Sequence, residues 1–535
     1  MVSYIKSYQW LVIGCILLIQ CTSKPIKTYE ANWESLSQYE VPEWFKDAKF
    51  GLFMHWGPQS LGIEHEGWQA RHMYMQEGAQ WGDDYNKHVA NYGHPSEFGY
   101  KDLIPLWKAE RWNPDSLVAF YKDVGIRYIV PVAVHHDNFD LYNSTYQPWN
   151  SVNMGPKKDI IGEWAIAARK HGLKFGFSSH NDRTWYWLHP AKGSDKTGPL
   201  KGVRYDGWLT KEDGVGTWWE GYDPQDLYAV PNSTEYEDDW NYMSKGQTPP
   251  EAYRLNWYLR TKELIDQYQP DLIWFDGPMP MRTHEEASAE DKKRFEQTGL
   301  DITSYYYNKS LEWRGVEGIV HIKSWGPGTV VDSSAVVMDI EKGSLTKTNP
   351  YYWQAETSVG SWYYNGTTGV ELSTQVIVHN LLDVVSKNGN FLLNVGLKPD
   401  GTLLENERQA LQEIGDWLEI HGEGVYDTRA WKVFGEVDTE LVSGDFEQNK
   451  KPLTARDIRY THKENELYAF FMDKPAESYL VLPSVTSNDF QIASIQLLSE
   501  GIELDWEYGD DSTLVVELPN EYAYQHAYGL KIRYQ

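Results

Sequence analysis

Along most of the chain, short apolar runs alternate with segments whose apolar residues recur every three or four positions. That recurrence collects side chains on one face of a helix, while a short unbroken apolar run fits a strand buried on both sides. The pattern predicts a helix over 115–125 and a strand over 128–134, then a helix over 159–172 and a strand over 173–178. It continues with a helix over 253–268 and a strand over 272–275. In 373–387, Ile377, Leu381, Val384 and Val385 share one helical face, and 391–395 follows as a strand. So many helix–strand units predict an α/β chain with a (β/α)8-like barrel over 25–430 in preference to an open sheet. Leu411, Ile414 and Leu418 lie at helical spacing in 405–421, which closes that domain.

Beyond about residue 435 the texture changes. The runs 467–471, 479–482, 492–498 and 513–518 are separated by turn residues and show no helical period. They predict a C-terminal antiparallel β-sandwich over 440–535, whose simplest role is to support the barrel. The stretch 193–250 is rich in Gly, Asp, Trp and Tyr without period, and reads as long loops over one face.

Composition narrows the function. With 49 basic and 77 acidic side chains the net charge is −28, so the surface repels phosphate backbones and nucleic acid is not an expected partner. Aromatic residues are 15% of the chain, enough for a large core and for flat faces that stack on sugar rings. Residues 1–21 read as an export signal: Lys6 sits in a short polar start, and 10–19 is almost wholly apolar. That run is shorter than the ~20 residues of a spanning helix. Cys21, which follows it, resembles the lipid-modified cysteine of bacterial lipoproteins, with Cys15 as a competing position. The expectation is an exported protein, periplasmic or anchored to the outer membrane through Cys21. There are no other cysteines, so neither a disulfide nor a cysteine metal site is expected in the folded part. The oligomeric state is left open.

Candidate chemistry stands at the ends of the apolar runs. Residues 50–54 lead into His55, 128–134 into His135, His136 and Asp137, and 173–179 into His180. Residues 272–275 lead into Asp276, and 335–338 into Asp339 and Glu341. In parallel barrels these ends converge on one pocket. Histidines and carboxylates admit a metal site or glycoside cleavage. Adjacent strand residues point to opposite faces, so His135 and His136 are not expected to share one ion. No His-x-His or His-Glu-x-x-His motif is present either. Glycoside cleavage needs two carboxyl groups, ~5–5.5 Å apart when configuration is retained.

Five segments carry a resemblance. They are 44–57 (WFKDAKFGLFMHWG), 135–139 (HHDNF, with Asn138 where Gly is usual), 274–277 (WFDG), 385–396 (VSKNGNFLLNVG) and 415–424 (GDWLEIHGEG). In this order, across about 44–434, the chain resembles glycoside hydrolase family 29, the α-L-fucosidases. The resemblance implies a retaining, exo-acting hydrolase that frees L-fucose from fucosylated oligosaccharides or polysaccharides without a cofactor. It makes Asp276 the nucleophile and Glu356, in 352–363, the acid/base, with Glu341 and Asp339 as rivals. Tyr352, Trp353 and Trp362 would desolvate Glu356 and raise its pKa. His55, His135 and His136 would bond the sugar hydroxyls, and His180, Trp185 and Trp274 would complete the pocket. Trp68 stands in Gly-Trp-Gln-Ala-Arg where the family carries an acid and an aromatic, so Glu64 or Glu66 takes the acid's place. Lys342 stands for the family's frequent arginine. Two alternatives are a same-mechanism α-L-galactoside hydrolase and a non-catalytic glycan-binding lipoprotein.

Overall fold

The computed structural model describes residues 27–61, 67–77, 82–229, 249–277, 287–323, 333–366, 370–523 and 525–535. The export segment with Cys15 and Cys21, Glu64 and Glu66, and part of the 193–250 loops lie outside them. Among the described residues, no helix is long and apolar enough to cross a membrane.

Eight parallel strands close into a barrel: β1 Phe50–His55, β2 Tyr128–Val134, β3 Lys174–Ser179, β4 Leu272–Phe275, β5 Ile319–Lys323, β6 Val337–Glu341, β7 Trp353–Ser358 and β8 Gly389–Gly396. Each pairs with the next, and β8 returns to β1 with Phe50 opposite Phe391 and His55 opposite Gly396. Helices at Pro114–Asp123, Ile160–His171, Glu251–Tyr268, Ala289–Arg314, Thr374–Ser386 and Glu405–His421 are among the connections. Local chemistry sets their ends. The Asn113 side chain accepts from the Ser116 N–H with Pro114 in the first turn. Asp159 caps the next helix, and Gly172 ends it in the left-handed region at φ 74°.

The helix Ala289–Arg314 and β5 are not among the predicted elements. The helix buries Thr298, Thr303, Ser304 and Ser310 beside Phe295 and Tyr306, so its packing face is too polar for an apolar period. Strand β5 is five residues long and carries His321 and Lys323. In β6 the strand runs on to Glu341, so Asp339 lies within it and not past its end.

The C-terminal sheets start earlier than residue 440. Strand β9, Arg429–Glu436, is the edge of a six-stranded sheet with β10 Ile458–Lys463, β11 Glu466–Phe471, β13 Ile492–Leu497, β14 Ile502–Glu503 and β17 Tyr528–Tyr534. A second sheet holds β12 Tyr479–Thr486, β15 Trp506–Tyr508 and β16 Thr513–Glu517. Pairing is antiparallel throughout, around a separate core that includes Leu467, Phe471, Leu482, Ile495, Val516 and Ile532. The module is fastened to the barrel by polar groups: Asp383 accepts from Arg459 Nε and from Lys387 Nζ, both at 2.7 Å. Trp417 Nε1 also donates to the Ala527 carbonyl at 2.8 Å.

Candidate active site

The carboxyl ends of the barrel strands surround a cavity of about 530 Å³. His55, Trp68, His135, His136, His180, Trp274, Asp276, Lys342 and Glu356 all line it, together with Arg183, Lys323, Glu341, Trp362, Glu371 and Phe446.

Lys323 joins the acids. Its Nζ lies 3.2 Å from Asp276 Oδ1, 2.8 Å from Glu341 Oε2 and 2.9 Å from Glu356 Oε1. Because Asp276 and either glutamate meet one nitrogen at about 3 Å, their nearest oxygens lie no more than about 6 Å apart, within reach of a retaining pair. The cation among the acids is therefore Lys323 and not Lys342. Lys342 adopts φ 43°, gives its N–H to the Glu356 carbonyl at 2.7 Å, and holds Nζ 5.3 Å from the Trp362 ring centre.

Asp276 Oδ2 faces His136 Nε2 at 3.3 Å, Arg183 at 3.2 Å and His180 Nδ1 at 3.5 Å. Burial works against its charge, but Lys323, Arg183 and His180 together hold the carboxyl well below the usual range. Glu356 goes the other way: burial lifts it well above the usual range, with Asp339 and Glu341 adding to the rise and Lys323 opposing it. Strand parity explains that burial. On β7, Gln354, Glu356 and Ser358 face inward, while Trp353 faces outward and gives Nε1–H to the Lys387 carbonyl. The barrel interior, not Tyr352 and Trp353, desolvates Glu356. Asp339 accepts from Gln354 and is absent from the lining; burial pushes its carboxyl up to about 7.

Four imidazoles line the cavity beside Asp276. Burial lowers the pKa of His55, His135, His136 and His180 and outweighs the opposing pull of Asp276, so all four are neutral at physiological pH. His55 Nδ1 donates to Asn394 Oδ1 at 2.8 Å, leaving Nε2 as an acceptor. His135 Nδ1 accepts from Gln59 at 3.1 Å, leaving Nε2–H as a donor. His136 Nδ1–H donates to the His180 carbonyl at 2.6 Å. The expectation that His135 and His136 face opposite ways fails because both lie past the end of β2, where strand alternation no longer applies; their ring centres are 4.3 Å apart. The turn continues through Asn138 at φ 64°, a left-handed conformation that Asn and Gly tolerate, which accounts for Asn138 in that motif. Gly67, at φ 88°, is needed for a different reason: a Cβ there would lie 2.9 Å from the Tyr363 ring and 3.0 Å from His135.

Trp185 is not part of the lining; it is buried beside Tyr253, and its N–H donates to the Tyr253 hydroxyl at 3.1 Å. Arg183, two residues earlier, reaches the cavity instead. Among the described residues, two triplets could each close on a metal ion, His55–His135–His180 and His136–His180–Asp276. Asp137 belongs to neither, since it accepts from the Tyr100 hydroxyl.

A closed parallel barrel presenting adjacent carboxyls and neutral hydrogen-bonding rings at its carboxyl face defines a glycoside hydrolase. A family model described as Alpha-L-fucosidase matches residues 16–423, and one described as Alpha-L-fucosidase C-terminal domain matches 448–533. The chain belongs to the alpha-L-fucosidase family. It is 27% identical to plasma alpha-L-fucosidase of Homo sapiens over 508 residues, covering 93% of this chain and 90% of that one. Against tissue alpha-L-fucosidase of Rattus norvegicus it is 26% identical over 529 residues, covering 96% and 95%. Among solved structures, Thermotoga maritima alpha-fucosidase in complex with fucose superposes with a TM-score of 0.64 at 26% identity, covering 94% of this chain and all of that one. The same enzyme in complex with a mechanism based inhibitor superposes at 0.63.

Proposed function

We propose that the protein removes terminal α-L-fucosyl residues from fucosylated glycans by double displacement. The observation that carries this reading is the ammonium of Lys323 holding Asp276 beside two glutamates. Asp276, kept ionised, attacks the anomeric carbon; the leaving oxygen takes a proton from a glutamic acid, which then activates water against the fucosyl–enzyme ester. The neutral imidazoles suit an uncharged sugar. His136 Nε2 and Asp276 Oδ2 meet acceptor to acceptor, an arrangement that a sugar hydroxyl completes by donating.

Both glutamates remain candidates for the proton donor. The motif reading favours Glu356, and so does its raised pKa. Position favours Glu341: it is the last residue of β6, it is 8% exposed against 1% for Glu356, and its neighbours Lys342 and Phe446 line the cavity. On that greater exposure at the mouth of the cavity we assign the proton transfer to Glu341. Glu356 then serves as its buried, protonated neighbour across the β6–β7 register. Rescue by azide on an aryl α-L-fucoside tests the assignment. Glu341→Ala should regain turnover and yield a fucosyl azide; rescue of Glu356→Ala alone would return the role to Glu356. Loss of all turnover in Asp276→Ala completes the test of the nucleophile.

The 1–21 segment supports export with attachment through Cys21. Labelling with palmitate that persists in Cys21→Ala would exclude that anchor.

A further inference from the structure

Of the described residues lining the cavity, Phe446 alone comes from the segment between β9 and β10, outside the barrel. The residue is 51% exposed, and its backbone sits at φ 64°, where a non-glycine residue without a short polar side chain is strained. An exposed phenylalanine alone means little. This one is held in place from several directions. Its N–H donates to the Glu341 carbonyl at 2.8 Å, and the Gln448 N–H donates to the Lys342 carbonyl at 2.8 Å. Gly444 and Ser344 exchange N–H donors at 3.0 and 3.4 Å, and Asp445 Oδ1 accepts from the Glu341 N–H at 2.9 Å. The β9–β10 loop thus runs as a strap along the end of β6, and it presents an aromatic face to solvent directly beside Glu341.

The group attached to fucose must lie on the outer side of the acids, because the fucosyl ring itself occupies the pocket they share with the histidines. Pyranose rings carry a face of C–H groups that packs against aromatic rings. We infer that Phe446 is the wall of a leaving-group subsite, stacking on the apolar face of the sugar or aryl ring that fucose is attached to. The inference rests on the proposed roles of Asp276 and Glu341.

Three substrates separate the possibilities: α-L-fucosyl fluoride, whose leaving group has no ring, 4-nitrophenyl α-L-fucoside, and a fucosylated disaccharide. In Phe446→Ala, kcat/KM should fall about tenfold on the two ring-bearing substrates and stay within about twofold on the fluoride. Phe446→Trp should restore the ring-bearing substrates. Equal losses on all three would mean that Phe446 only supports the strap, and no loss on any would mean that it touches nothing; either overturns the inference. Phe446→Leu replaces the alanine variant if that one fails to fold, with the same losses expected. Failure of the wild-type protein to turn over the fluoride would instead remove the hydrolase reading itself.

Discussion

Replacing Lys323 by Met removes one positive charge from contact with three carboxyls while keeping most of the side chain's bulk. At an effective dielectric near 20, unit charges 4 Å apart attract by about 4 kcal/mol, and Lys323 sits closer than that to each acid. Arg183 and His180 stay on the other oxygen of Asp276 and retain part of the field. At about 1.4 kcal/mol per pKa unit, the Asp276 carboxyl should therefore rise by one to two units, roughly half of what the lost pair alone would give. The sign is fixed. A nucleophile must be ionised, so raising its pKa moves the acid limb of kcat/KM toward alkaline pH. The glutamates lose the same counter-charge, so the alkaline limb moves the same way. Leaving buried carboxyls without their partner should also lower kcat/KM at the new optimum by about a hundredfold or more. A pH–rate profile on an aryl α-L-fucoside with a good leaving group reads all three effects. A folded Lys323→Met variant whose acid limb stays within about 0.3 units of the wild type would refute the reasoning, since Lys323 would then not set the charge of Asp276.

Other groups make separate predictions. Burial pushes the Glu407 carboxyl from 4.5 up to about 8, opposed by the hydrogen bond it accepts from the Gly396 N–H. The folded protein therefore keeps a proton that the unfolded chain loses above about pH 4.5, so stability falls as pH rises from there to about 8. Glu407→Gln should be more stable than wild type by on the order of a few kcal/mol at pH 8 and nearly equal at pH 4, read by thermal melting; a gain of equal size at both would refute it. Arg459→Met leaves Asp383 buried with a single full cation and should cost about 3–5 kcal/mol in urea unfolding. An unchanged midpoint would show that the bond between module and barrel adds nothing.

Much of this was legible in the chain. Tyr128–Val134 and Leu272–Phe275 form strands at the predicted bounds, because unbroken apolar runs buried on both faces leave little ambiguity. Asp276 stood out for the same reason: it is the first polar residue after such a run. Lys323 did not. Its strand is short and polar-tipped, and the helix before it packs through threonines and serines, so no apolar signal marks where the lysine points. Trp185 and Arg183 exchanged roles because a helical turn at Thr184–Trp187 redirects side chains that linear proximity cannot separate. Strand alternation does not reach the two adjacent histidines, which lie past the end of β2, although neither metal-capable triplet among the described residues holds both. Gln59 and Asn394, which set the tautomers of His135 and His55, sit 76 and 339 residues from their rings; Asn394 falls in the 385–396 motif, but nothing in that motif says which ring it meets.

The strap at 444–448 grips β6 mostly through main-chain atoms. Main-chain bonds are indifferent to which side chain they carry. Position 446 can therefore change, among residues its left-handed backbone admits, without loosening the wall it belongs to. Natural diversity in what these enzymes release alongside fucose can accumulate there, in a loop of the C-terminal sheet, while the machinery that recognises fucose stays as it is.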